Sequence, residues 1–181
     1  KSSGDSVLQA LRSFNKRFNM FYNRFRNATT KVKYLLFKTN CLDLYGCQLW
    51  DLSSMHCTQF HVAWRKAVRR MLNISGRTHN NLLPLLCNDV SIEDQISMRF
   101  ITFYYSPVHS DNIYVKTCAK LAQNGSGSNA ARCLNHVTYM YSFSKFDFKV
   151  LRLQSILNNV YCNSMVQDTD LYTAGAISDF I

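Results

Sequence analysis

Carboxylates, thiols, imidazoles and guanidinium groups are the side chains that could do chemistry in this 181-residue chain. The carboxylates come first, because most hydrolytic and phosphoryl-transfer chemistry depends on them. Glu93 is the single glutamate, and the ten aspartates are dispersed with no adjacent pair. Metal-dependent phosphoryl transfer needs carboxylates converging on ions about 3.5–4 Å apart, and glycoside hydrolysis needs a facing pair. Neither pattern is present, nor is a Gly-x-Ser-x-Gly elbow or a glycine-rich phosphate loop. Cys41, Cys47, His56, Cys57 and His61 fall within 21 residues and are all potential zinc ligands. No Cys-x-x-Cys pair occurs among them, and their spacing matches no finger or knuckle. The expectation is no catalytic residue, no metal ligand and no cofactor, with the thiols buried on helix faces.

The cations are organised differently. Arg65-Lys66-x-x-Arg69-Arg70 is the densest cluster, no acid interrupts the chain between Asp51 and Asp89, and Arg12, Lys16, Arg17, Arg24, Arg26, Lys31 and Lys33 precede it. Residues 1–70 carry 13 Lys/Arg against three aspartates, while 71–181 carry eight against eight, so the net charge of +10 belongs to the first part. A face built only for solubility mixes its signs. This asymmetry points to a polyanion, with an anionic membrane surface as the weaker fit. Arg12, Lys16, Arg24, Arg26, Lys31, Lys33, Arg65, Lys66, Arg69 and Arg70 are the candidates for phosphate contact, through counterion release and guanidinium forks and with no device for reading bases.

Helices must position these groups. Val7, Leu11, Phe14, Phe18, Phe21 and Phe25 recur at spacings of 4, 3, 4, 3 and 4, with Arg12, Lys16, Asn19, Asn23 and Arg26 on the reverse side. A second helix with Val32, Leu35, Leu36 and Leu42 inward should run towards Tyr45-Gly46, where a glycine between Tyr45 and Trp50 permits a close turn. Phe60, Ala63, Trp64, Ala67, Val68, Met71 and Leu72 predict a helix over 56–73 that buries Trp64 and turns its four cations to solvent together. Thr78 is expected to cap a short apolar turn, Leu82-Leu83-Pro84-Leu85-Leu86. Ser91 then opens a helix with Ile96, Phe100, Phe103 and Tyr104 inward, closed by Pro107. A further helix carries Val115, Cys118, Ala119 and Ala122. Residues 124–129 are a Gly/Ser linker, followed by patterns through Leu134, Val137 and Tyr141 and through Val150, Leu153, Ile156, Leu157 and Val160. The whole reads as all-α, seven or eight helices in an irregular bundle. Its expected divisions are a basic domain over 1–123, the linker over 124–129, and a helical extension over 130–181.

Seven scattered cysteines suit reduced thiols better than a disulfide framework, which points to an intracellular protein, nuclear or cytoplasmic. No apolar run approaches the roughly 18 residues of a membrane span. Position 1 is Lys and not an initiator methionine, so a longer parent chain is expected.

Tyr45-Gly46-x-Gln48-Leu49-Trp50, then Val62-Ala63-Trp64-Arg65-Lys66-Ala67-Val68-Arg69-Arg70-Met71-Leu72, then Arg77-Thr78-His79-Asn80-x-Leu82-Leu83-Pro84 form a composite motif. This composite resembles the region downstream of the polymerase palm in reverse transcriptases of non-LTR retrotransposons, the long interspersed elements of the chicken-repeat and jockey type. The resemblance runs over about residues 8–130, through Asn19, Phe25, Lys33 and Leu36 upstream and Arg99, Phe100, Ser110, Asn112 and Gly125-Ser126 downstream. Asn73-Ile74-Ser75-Gly76 stands where such proteins often carry a proline. The resemblance implies a thumb and post-thumb segment that clasps RNA template and growing DNA, partnered by a palm domain absent from this chain, and it adds Arg77 and His79 to the contact candidates. It also implies that the Phe-rich stripe evolved partly against that missing domain, so apolar area should lie exposed along the first helix. Without the palm's paired aspartates such a fragment cannot polymerise. The alternatives are a stand-alone helical DNA-binding or regulatory module and a helical protein-interaction scaffold.

Overall fold

Heptad-spaced phenylalanines bury well only along a helix, and the first helix of the chain is built on them. The computed structural model describes residues 3–125 and 127–141. It contains α1 (Ser3–Arg24), α2 (Thr30–Asn40), a single 3₁₀ turn (Cys47–Leu49), α3 (Met55–Leu72), α4 (Leu82–Cys87), α5 (Ile92–Val108), α6 (Ile113–Asn124) and α7 (Asn129–Tyr141). No strand occurs among the described residues, so the chain is all-α, with seven helices in that span. The helical pattern through Val150 and Val160, Cys162 and the tail from Gln167 lie outside the described residues.

Phe14 of α1 meets Phe60 of α3 at 5.5 Å between ring centres, and Tyr22 meets Arg70. The two helices therefore run parallel, with their C-terminal ends together. α2 folds back along them, so that Asp43, just past its end, reaches Arg17 of α1 at 3.2 Å. Val7, Phe14, Phe18 and Phe21 are buried, and Leu11 and Phe25 are partly so. The expected exposed stripe on the first helix is thus corrected: α2 and α3 of this same chain cover it.

The face of α2 is corrected in part, since Leu36 and Leu42 pack partly buried against the core as expected. Val32 and Leu35 are exposed, whereas Phe37 is fully buried and sits 5.8–6.1 Å from the rings of Phe14, Phe18 and Phe21. Tyr34, Phe37 and Cys41, spaced by three and four, win the inner face because the largest ring fills the gap between three phenylalanines. Gly46 takes φ +75°, the left-handed conformation that the Tyr45-Gly46 pair suggested. Of its neighbours, Trp50 packs edge-on against Phe60, but Tyr45 is 93 % exposed and holds nothing in place.

Three further expectations change. α4 begins at Asn81 without a side-chain cap, and Thr78 instead offers its carbonyl to Arg69; Leu83 and Pro84 are buried and Leu82 half so. Phe103 is 47 % exposed, because Ile96, Ser97, Phe100, Ile101 and Tyr104 already fill the inner face of α5. Cys118 is exposed, while Cys41, Cys47, Cys57, Cys87 and Cys133 are buried free thiols as expected.

Cys133, Leu134 and Val137 of α7 are buried in the main core. Cys133 donates to the Trp50 carbonyl and accepts from Leu52 N–H, Arg132 pairs with Asp51, and Tyr141 donates to Asp94. Gly127 and Ser128 form a capped turn, with Ser128 accepting from Ala131 N–H. The described part of the expected linker therefore joins two packed helices.

Candidate nucleic-acid interface

Since α1 and α3 end side by side and α2 begins there, the parallel packing gathers cations that are far apart in sequence. Arg24 lies in the last turn of α1, Arg69 and Arg70 in the last turn of α3, and Lys31 and Lys33 in the first turn of α2. Arg26 is on the connecting loop and Arg77 on the loop after α3. All of these are exposed except Lys33 and Arg69, which are half-buried. Further along α1, Arg12 and Lys16 are exposed on the same outer stripe as Asn19, Asn23 and Arg26.

The four cations of α3, expected to face solvent together, do not. Arg65 donates to Glu93 of α5 at 2.8 Å. Arg69 donates to the Thr78 carbonyl and to Asn80 Oδ1. Arg70 lies 4.3 Å from the centre of the Tyr22 ring, a cation–π contact across to α1. Lys66 and Arg70 are both exposed with neither an ion pair nor a hydrogen bond among the described residues, and Lys66 has no cation–π contact there either. The physical reason is non-local: each of these partners comes from another element or from the loop beyond the helix end. Stacking uses the face of the Arg70 guanidinium and leaves its in-plane N–H groups for another acceptor.

Ion pairs among the described residues engage Arg17, Lys38, Arg65 and Arg132, plus His61 when it is protonated. Arg12, Lys16, Arg24, Arg26, Lys31, Lys33, Lys66, Arg70 and Arg77 have no such partner there. Cations near a helix C-terminus gain from the macrodipole, which accounts for Arg24 and Arg70. It does not account for Lys31 and Lys33, which stand at the positive end of α2, where Thr29 makes no side-chain capping hydrogen bond. His79 accepts from Asn81 N–H through Nδ1 and sits exposed between Thr78 and Asn80.

One grouping was not foreseen. Cys57 Sγ lies 3.4 Å from His61 Nε2, and His61 Nδ1 lies 3.7 Å from Glu93 Oε1. The order resembles a thiol–imidazole–carboxylate relay, which the i, i+4 spacing of Cys57 and His61 on α3 could have suggested. However, Cys57 is fully buried, and burial, reinforced by the negative potential of Cys133 and Glu93, pushes its thiol up to about 12. The grouping therefore holds a thiol where a nucleophile needs a thiolate. No three His, Cys, Asp or Glu side chains among the described residues converge on a common point for a metal ion. No helix among those residues is long and apolar enough to cross a membrane.

Burial, with the nearby Arg65 and His136 charges, lowers His61 to about 4 against the opposing pull of Asp94. A histidine depressed in the folded state binds its proton more readily when unfolded, so its contribution is intact above about 6.5 and is lost as pH falls towards 4. Stability should drop through that window by up to about 3 kcal/mol. Denaturant titrations at pH 7 and 4.5 check this, and His61→Gln should flatten the part of the drop above pH 5. Asp89 adds a second acid-sensitive contact. Burial works against its ionised form, but hydrogen bonds from Lys38, Val90 N–H and Tyr34 outweigh that and hold the carboxyl below its usual range.

Among known proteins, the chain matches no family model, no curated protein and no solved structure.

Proposed function

We propose that this chain grips the sugar–phosphate backbone of nucleic acid, RNA and DNA paired as template and primer, as the thumb and post-thumb part of a non-LTR retrotransposon reverse transcriptase. It supplies no catalytic residue in this reading, and a palm domain elsewhere in the parent polymerase carries the chemistry. The observation that carries the proposal is the position of Lys31 and Lys33. Both stand at an uncapped helix N-terminus, where positive charge is unfavourable for the fold and an incoming phosphate is favourable. Arg24 and Arg26 precede that end in the chain, Arg70 lies against Tyr22 near it, and these three, with Arg77 on the loop after α3, have no carboxylate partner among the described residues. The five buried free thiols fit an intracellular setting.

Lys31→Glu separates grip from scaffold. An acid in the first turn should stabilise α2 by about 0.3–1 kcal/mol, while binding of an RNA–DNA hybrid weakens and its log–log salt slope becomes shallower by about one. Thermal melting and fluorescence anisotropy on the same preparation read both effects. Equal losses in stability and binding would assign the lysine to the fold.

A second reading, the protein-interaction scaffold, is favoured by one observation. Phe103, Tyr104 and Pro107 of α5 and Tyr114, Val115 and Cys118 of α6 line an open, almost wholly apolar groove of about 450 Å³. Apolar surface of this kind marks interaction sites.

A further inference from the structure

Arg69 has the sequence position of a phosphate ligand but not the surroundings of one. Its Nε and Nη2 donate to the Thr78 carbonyl at 3.2 and 2.7 Å, and Nη2 also donates to Asn80 Oδ1 at 2.6 Å. Three donations from one guanidinium, half-buried against the chain's own loop, occupy the fork that would otherwise close on a phosphate. The loop in question covers residues 73–81 and has no regular structure until α4. At its near end it is fastened by backbone: Asn73 takes φ 55°, a conformation that asparagine tolerates, and Ile74 N–H returns to the Arg69 carbonyl at 3.1 Å. In the middle, Thr78 N–H bonds the Ser75 carbonyl and Arg77 N–H bonds Ser75 Oγ, which shapes a turn but does not tie it to the helix. Arg69 makes that tie, from the last turn of α3 to the far half of the loop.

The consequence lies on either side of the tie. Arg77 and His79 flank Thr78, both are exposed, and Arg77 has no carboxylate partner among the described residues. Fixing the Thr78 carbonyl restricts the backbone from which these two side chains project. Pre-ordering a contact loop reduces the side-chain and backbone entropy that binding must otherwise overcome.

We infer that Arg69 is a positioning residue: it clamps the 73–81 loop so that Arg77, with His79 beside it, meets a backbone phosphate next to the cationic ends of α1 and α3. The inference rests on the phosphate-gripping function proposed above and assigns that function's loop contact to Arg77 and not to Arg69. A lysine at 69 keeps the charge but lacks the planar fork that reaches two acceptors at once.

The test uses the full chain, a fluorescent RNA–DNA hybrid, a salt series, and amide hydrogen exchange over residues 75–81. Arg77→Ala should make the log–log salt slope shallower by about 0.9, one phosphate contact. Arg69→Lys should do nearly the same although the charge is retained, and should speed exchange in the loop. Arg69→Lys combined with Arg77→Ala should lose no more slope than Arg77→Ala alone. Should Arg69→Lys fail to fold, Asn80→Ala removes one acceptor of the clamp and no charge, and is expected to loosen the loop and weaken binding in the same direction. Wild-type binding by Arg69→Lys, or a two-step loss in the double variant, would make Arg69 a direct ligand and overturn the inference. Absence of salt-dependent binding by the unaltered chain removes the gripping function itself, a failure visible before any variant is compared.

Discussion

Replacing Phe37 by alanine is expected to destabilise the fold by about 3–5 kcal/mol, the usual cost of truncating a fully buried aromatic. The ring is wholly inaccessible and lies within 5.8–6.2 Å, centre to centre, of Phe14, Phe18, Phe21 and Tyr34. Such pairs contribute about 0.5–1.5 kcal/mol each beyond the area they bury. The three phenylalanines sit on a long helix already fixed against α3 by Phe14 and Phe60, so the site cannot collapse readily to fill the space. For a domain with a total stability of about 5–15 kcal/mol, the loss brings unfolding close to ambient conditions. Val32→Ala, on the exposed side of the same helix, is the matched control and should change stability by less than about 0.5 kcal/mol. Urea unfolding of the two variants decides the orientation of α2. Similar costs for both, or a larger cost for Val32, would reverse it.

This pair also marks where sequence reading succeeded and where it stopped. α1 and α3 were legible because their apolar residues repeat at threes and fours without a competing pattern, and Trp64, Phe60 and the Phe stripe are buried as that period requires. α2 contains two overlapping stripes. Val32 and Leu35 are exposed and Leu36 is partly buried against the core, while Tyr34, Phe37 and Cys41 match the gap left by α1, a fact about a neighbour's shape that periodicity does not carry. Phe103 failed for the opposite reason: spacing allowed it inside, and five other α5 side chains had already filled that face.

The basic cluster shows the same limit in electrostatic form. Spacing correctly moved Arg65, Lys66, Arg69 and Arg70 off the apolar stripe of α3. It could not reveal that Glu93, 28 residues later, would take Arg65, that the following loop would engage Arg69, or that α1 would offer Tyr22 to Arg70. Lys66 stays exposed and unpartnered among the described residues, as its spacing suggested, and Arg24, Arg26, Lys31 and Lys33 lie together across the α1–α2 connection, to which the parallel packing of α1 and α3 adds Arg70.

The salt dependence of nucleic-acid binding is the most direct measurement of whether that end is a phosphate grip. If about six of the unpartnered cations each neutralise a phosphate, the slope of log affinity against log salt should be near −5, at roughly −0.9 per phosphate. Affinity for an RNA–DNA hybrid should then fall by about 10³ between 50 and 200 mM salt, the largest single effect expected of this protein. Duplexes of unrelated sequence should give the same slope and closely similar affinity, since phosphate contacts carry no sequence information. Titration of a labelled hybrid by anisotropy at four or more salt concentrations supplies the number. A slope near −5 that is indifferent to sequence is the predicted result; a slope near zero, or no binding at low salt to hybrid, duplex or single-stranded RNA, would contradict it.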